Sequence, residues 1–309
     1  LNTTTEIAKL PESKGLKSIP EPTLPQTPEP EDWDLVIEPK GGLFSLNLKE
    51  VWQYRDLLLL FVKRDLTAQY KQTILGPLWH FIQPVFTTAV FLVLFKAMAN
   101  FPTDGIQPVL FYMSGITIWN YFSACFLATS NTFLSNSGIF GKVYFPRLIM
   151  PLSIVLGNMA RFGIQLLLLI GVIIAFAIQG DNFHFGWSWL LIPVLVLMMA
   201  GMGLGLGIII SSLTTKYRDM QVLIGFAVQL MMYMTPIAYP LSFLKTKTFA
   251  AWIAWNPLSP VVEGFRYALF ASKDFQLASL GYSIAVMFVL LITGILLFNK
   301  VERTFMDTV

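Results

Sequence analysis

Long uncharged stretches alternate with short polar breaks along most of the chain. Apolar runs occupy residues 78–95, 108–127, 148–178, 189–213, 221–239 and 280–298. A helix needs about 20 apolar residues to cross a bilayer, and a charge at its centre is costly. The pattern therefore predicts six transmembrane helices, with breaks at 100–107, 135–147, 179–186, 214–219 and 240–275. An even count puts both ends on one side. Lys63, Arg64, Lys71, Lys142, Arg147, Lys216, Arg218, Lys300 and Arg303 flank the spans on that side; Lys96, Lys245, Lys247, Arg266 and Lys273 lie on the other. This bias predicts cytoplasmic termini, including a short tail over 301–309.

Ahead of the first span the pattern changes twice. Residues 1–43 interleave seven prolines with Glu, Thr and Lys and hold few apolar side chains. Such a segment cannot bury enough surface to offset its ordering entropy, so it reads as a disordered cytoplasmic tail, either a tether or a docking segment. It lacks the basic start and apolar core of a signal peptide. Over 44–76, Phe44, Leu48, Val51, Trp52, Leu59, Val62, Leu66 and Tyr70 recur every three or four residues. The spacing predicts one apolar stripe on an amphipathic helix lying in the membrane interface, its basic side towards lipid headgroups. The membrane-spanning body then runs from 77 to 300.

Composition narrows the class. The 309 residues are 55% hydrophobic and 13% charged, about half the charge of an ordinary soluble domain. Residues 1–76 carry 20 of the 39 charged side chains. A net charge of +3 and a single cysteine, Cys125, exclude a nucleic-acid binder and a disulfide scaffold.

Catalytic chemistry is absent from the pattern. Gly141-Lys142 could close a phosphate-cradling loop, but Asn136 stands where its first glycine is required. His80 and His184 are far apart, with no Cys or carboxylate at ligand spacing, so no metal site and no catalytic residue are expected. Gly201, Gly203, Gly205 and Gly207 lack the spacing of a dinucleotide fingerprint. They instead predict close helix packing.

Polar residues inside the runs carry more information. Asn158, Arg161 and Gln165 share one face of the third span, where a charge should meet protein or water. Two readings fit Arg161: neighbouring helices satisfy it, or it guides an anionic headgroup. The segment 241–275 is too polar to span and too apolar for a plain loop. Asn256-Pro257 and Ser259-Pro260 reset the chain, predicting a re-entrant pair of short helices that ends near Glu263 and Arg266, one turn apart and able to pair. It would flank a transport path or form a lid that only packs.

Four blocks carry a resemblance. VKRDLTAQYKQTILGPLW (62–79) with Gln83-Pro84, KVYFPRLIMP (142–151), KYRD (216–219) followed by Gln229 and TPIAYP (235–240), and NPLSPVVEGFR (256–266) occur in that order. Together they resemble the permeases of polysaccharide-exporting ABC transporters, the ABC-2 type that exports O-antigen, capsule-like or teichoic acid polymers. The likeness covers about residues 44–303. It implies an all-α integral membrane protein of six spans that works as a homodimer with two copies of a nucleotide-binding ATPase subunit, in the bacterial inner membrane. ATP and Mg would sit on that partner, no cofactor on this chain, and the cargo would be a lipid-linked polysaccharide. A drug or small-lipid exporter of the same superfamily is the alternative.

The resemblance also implies roles. Ile139, Phe140, Lys142, Tyr144, Phe145 and Arg147 form the expected coupling segment, with Tyr144, Phe145 and Arg147 plugging a groove in the ATPase. Lys216, Arg218 and Asp219 form a second cytoplasmic turn, serving either coupling or charge anchoring. The first and fifth spans would line the conduit, giving Phe86, Phe91, Phe226, Gln229 and Tyr233 as candidates for a path over which a sugar chain slides.

Overall fold

The computed structural model describes residues 48–71, 75–140, 145–180, 186–214, 217, 219–244, 252–253, 255–272 and 275–308. The expected tail over 1–43 lies outside them. Among the described residues the structure is helical, without strands.

Helix α1 (Leu48–Gln53) and helix α2 (Arg55–Tyr70) precede a 3-10 turn at Gly76–Leu78. Helix α3 (Trp79–Phe91) runs on through a π-helical stretch, Leu92–Met98. Then come α4 (Pro108–Ser130), α5 (Thr132–Phe140), α6 (Ile149–Ile178) and α7 (Leu191–Thr214), the last entered through a 3-10 turn at Trp187–Leu190. The chain continues as α8 (Met220–Tyr233), the single turn α9 (Leu241–Leu244), α10 (Ser259–Phe270) and α11 (Ala278–Thr308).

Among the described residues, five helices are long and apolar enough to cross a membrane: Gly76–Met98, Pro108–Ser130, Ile149–Ile178, Trp187–Thr214 and Ala278–Lys300. The shortest have 23 residues, a rise of about 35 Å against a hydrocarbon core of about 30 Å. The remaining predicted span, 221–239, forms only the 14-residue α8, about 21 Å long. Pro236 and Pro240 explain the early stop, because proline lacks the N–H that would continue the ladder. The backbone after Tyr233 turns irregularly, with Thr235 Oγ1 donating to the Met231 carbonyl at 2.8 Å.

Burial sorts the spans. In α4, 78% of the apolar window is inside the protein, and in the span containing α7 it is 61%; the spans built on α3, α6 and α11 reach 17%, 22% and 22%. Helices α4 and α7 are thus the central pair, and the others surround them. The glycine run decides how closely. A Cβ on Gly203 would lie 3.0 Å from Cys125 Cβ and one on Gly207 2.5 Å from Thr129 Cβ, both on α4. One on Gly201 would meet Met287 Sδ at 2.6 Å, and one on Gly205 the Leu290 carbonyl carbon at 2.8 Å, both on α11. Two stripes of glycines four apart clamp α7 between its neighbours, the packing expected of small residues in lipid.

Helix α2 packs along α6. Val51 and Tyr54, with Leu57, Leu58 and Phe61 of α2, turn inward; of the predicted stripe Val51, Val62, Leu66 and Tyr70 are half-buried, whereas Trp52 and Leu59 are 70% and 60% exposed. Tertiary packing thus draws in Leu57, Leu58 and Phe61, which lie beside the stripe.

Candidate functional site

The sequence-predicted residues fall into three groups. At one end, Phe133 and Phe140 of α5, Phe145, Ile149 and Met150 at the start of α6, Ile208 of α7, Phe298 of α11 and Phe61 of α2 form one buried cluster. Phe133 stacks on Phe298 at 4.6 Å between centroids, and Phe145 lies 5.6 Å from Phe61 and 5.9 Å from Phe140. The Arg147 guanidinium sits over the Phe140 ring at 5.6 Å, and the residue is only 9% exposed. Phe140, Phe145 and Arg147 are buried in this knot, and Ile139 is half-buried beside them. Tyr144 and Lys142 lie outside the described residues, as do Lys216 and Arg218. Asp219 is exposed at the start of α8, its carbonyl accepting from the Val222 N–H at 3.1 Å.

At the other end, the TPIAYP and NPLSPVVEGFR blocks are bolted to one another. Asn256 Nδ2 donates to the Met234 carbonyl and to Thr235 Oγ1 at 3.1 and 3.0 Å, while its Oδ1 accepts from the Leu258 N–H at 3.0 Å. The Pro257 carbonyl accepts from Ser283 Oγ of α11 at 2.7 Å. Helix α10 begins at Ser259 as predicted, Ser259 Oγ donating to the Ile253 carbonyl at 2.8 Å.

Arg266, 1% exposed, completes the junction. It donates to the carbonyls of Pro236 at 2.6 Å, Ile237 at 2.8 Å and Phe111 at 3.4 Å, and pairs with Glu263 at 3.2 Å. Irregular backbone within a membrane must have its polar groups satisfied by protein. Arg266 does this for the carbonyls that the break after α8 leaves free. Burial raises the pKa of the Glu263 carboxyl, and the adjacent guanidinium opposes the shift. Most of the first member of the predicted re-entrant pair lies outside the described residues. Two aromatic contacts tie the 100–107 connection to the same end: Phe101 meets Tyr239 at 6.5 Å and Phe243 at 5.3 Å. Asp104, which the sequence left unplaced, accepts from Ser242 Oγ at 2.8 Å.

The third group lies on the exposed sides of α8 and α3. Helix α8 buries Ile224 and Val228, one turn apart, and leaves Phe226 61% and Tyr233 51% exposed with Gln229 outward between them. Phe86 of α3 is 68% exposed. Phe91 differs. Its ring is buried against Phe95 and Tyr112 at 5.0 and 6.1 Å. Tyr233 and Met234 also border an apolar hollow of about 330 Å³ with Trp252 and Ile253.

The polar face of α6 splits. Asn158 is buried beside Cys125, and Gln165 accepts from Asn120 Nδ2 of α4 at 3.4 Å. Arg161, between them in sequence, is half-buried and makes no hydrogen bond or ion pair among the described residues; its Nε is buried without an acceptor. Among the described residues no group of His, Cys, Asp and Glu could hold a metal ion.

A bundle with several helices long and apolar enough to cross a bilayer defines a multi-pass membrane protein. The chain belongs to the ABC-2 type transporter family, whose pattern matches residues 56–270. It is 29% identical over 252 residues to a Klebsiella pneumoniae protein named O-antigen export system permease protein RfbA, covering 82% of this chain and 94% of that one. A Myxococcus xanthus protein of the same name is 26% identical over 268 residues, covering 85% and 98%.

Proposed function

We propose that this chain is the membrane-spanning permease subunit of an ABC exporter that moves a lipid-linked polysaccharide outward across the bacterial inner membrane. The observation that carries this reading is the junction of α8 and α10. Two of the sequence blocks that suggested polymer export are bonded there into one unit, directly beside the outward face of Phe226, Gln229 and Tyr233. End-to-end likeness to proteins named as O-antigen export permeases supports the cargo class.

In this reading two copies associate and each engages one nucleotide-binding ATPase subunit, which holds ATP and Mg. The chain itself performs no catalysis. The short α8 with its irregular continuation counts as the sixth crossing, so both termini are cytoplasmic. The interfacial stretch 44–76, the body 77–300 and the re-entrant segment 241–275 act as separate functional parts. Phe86, Phe226, Gln229 and Tyr233 line the path, and Ile139, Lys142, Tyr144 and the 216–219 turn meet the ATPase. A sugar chain has no fixed charge pattern and must slide, so exposed rings and a neutral amide suit it.

A permease for drugs or small lipids would enclose its cargo instead. Deleting the chain and measuring lipid-linked polymer inside the cell tests the reading: polymer accumulates if it holds, and unchanged polymer at the surface overturns it.

A further inference from the structure

Helix α4 stops at Ser130 and α5 starts at Thr132, so the helical path breaks at Asn131 inside the protein. A helix end leaves its last carbonyls without intrahelical donors, and a helix start leaves its first N–H groups without acceptors. Thr129, Ser130, Thr132 and Phe133 are at most 1% exposed, so these groups must be met by protein. Local side chains do part of this. Ser130 Oγ and Asn131 Nδ2 donate to the Leu127 carbonyl at 2.7 and 3.3 Å, and Thr132 Oγ1 donates to the Thr129 carbonyl at 2.8 Å.

The rest comes from the far end of another helix. Thr214 Oγ1, on the last residue of α7, lies 2.9 Å from the Ser130 carbonyl and 3.0 Å from the Ser211 carbonyl and shares its proton between them. Ser211 Oγ accepts from the Phe133 N–H at 3.4 Å. Both hydroxyl residues are fully buried. Gly203, Gly207, Ser211 and Thr214 recur at the three- and four-residue intervals that share one face of α7. The two glycines bring α7 against α4, and the next two positions reach across the break with hydroxyls. One caps the end of α4 and the other the start of α5.

We infer that Ser211 and Thr214 are positioning residues: by capping both sides of the α4–α5 break from α7, they fix α5 to the end of α7, so that the segment 139–147 and the turn 216–219 shift as one body when the ATPase closes. This rests on the export reading, in which both segments meet the ATPase. Coupling over a distance is carried by hydrogen-bonded contacts between rigid elements. The interrupted ladder at Asn131 is where α5 would pivot, and Phe133, whose N–H is capped, also stacks on Phe298 in the aromatic knot. With the caps gone, α5 swings while α7 stays, and ATP is hydrolysed without moving cargo.

The full chain is copurified with its ATPase. Thr214→Val removes one hydroxyl at similar shape; Ser211→Ala removes the other, and covers the case in which Thr214→Val fails to fold. Spin labels on Ser135→Cys of α5 and Leu213→Cys of α7, both exposed positions, report the distance between the helices, Cys125 being fully buried. The parent gives one narrow distribution and each variant a broadened one. Lipid-linked polymer moved per ATP hydrolysed in inside-out vesicles falls by about fivefold, the weight of one lost hydrogen bond, and Thr214→Ser, which keeps the hydroxyl, restores it. Parent-like polymer per ATP in the folded variants, whatever their melting temperatures, leaves the hydroxyls as caps alone and overturns the proposal, as do unchanged distance distributions. Broadened distributions in a chain whose deletion leaves surface polymer unchanged keep the capped break and overturn the export reading, so the two failures are distinguishable.

Discussion

The guanidinium carbon of Arg266 lies 3.6 Å above the centre of the Phe111 ring. This contact joins helix α10 to the most deeply buried span, α4, and the same side chain holds the carbonyls of Pro236 and Ile237. Gly115 makes room for it, since a Cβ there would come within 2.8 Å of the guanidinium. One side chain thus fixes three elements around the break after α8.

Arg266→Met removes the donor from three carbonyls and leaves Glu263 buried without its cation. Breaking a buried pair in this way costs about 3–5 kcal/mol. The variant should lose most of its membrane abundance and melt at a lower temperature in detergent, whereas Glu263→Gln, which keeps an acceptor for the Leu241 N–H, should fall by less. Equal melting of Arg266→Met and parent would show that the junction is held elsewhere.

The glycine clamp gives a sharper contrast. Gly205→Ala pushes a methyl against the backbone of Leu290, where nothing flexible can yield, and overpacking of this kind costs about 1–3 kcal/mol. Gly171→Ala on α6 meets nothing within 4 Å and should leave melting unchanged or raise it, because alanine favours helix by about 0.5–1 kcal/mol. The order of the two melting temperatures checks the prediction.

Phe61 connects helix α2 to the aromatic knot. Phe61→Ala opens a cavity worth about 3–5 kcal/mol, and it should loosen copurification of the ATPase because α2 and α5 would no longer move together. Trp52→Ala, on the exposed side of the same stretch, should copurify normally. If both variants behave alike, the knot does not transmit force between the two helices.

For the proposed path, Gln229→Trp should stall polymer inside the cell while Tyr233→Phe, which keeps the ring, exports normally. Cytoplasmic lipid-linked polymer is measured beside membrane abundance and ATPase rate. Normal export by Gln229→Trp would exclude the outward face of α8 as the path.

Purified without its partner, the chain should show no ATP turnover, since Asn136 breaks the only phosphate-loop pattern that ends in Gly-Lys. Hydrolysis that follows the purified chain through successive columns would overturn this.

Much of the architecture was legible in the order of residues. Uncharged runs marked the long helices because a bilayer excludes charge, the alternating glycines marked where helices approach, and Ser259-Pro260 marked the start of α10. What the order could not express was direction. Within an uncharged helix, the side facing lipid and the side facing protein are equally apolar, so hydropathy carries no sign of which is which. Phe86 and Phe91 look alike in sequence, yet one is exposed and the other packs on Tyr112. Phe145 and Arg147 looked like projecting groups in a polar break, yet the knot buried them. The inward side of α2 was decided by Phe145 and its neighbours. Local composition determines which segments enter the membrane. Contacts between segments distant in the chain determine which face of each meets protein, and only the assembled bundle supplies them.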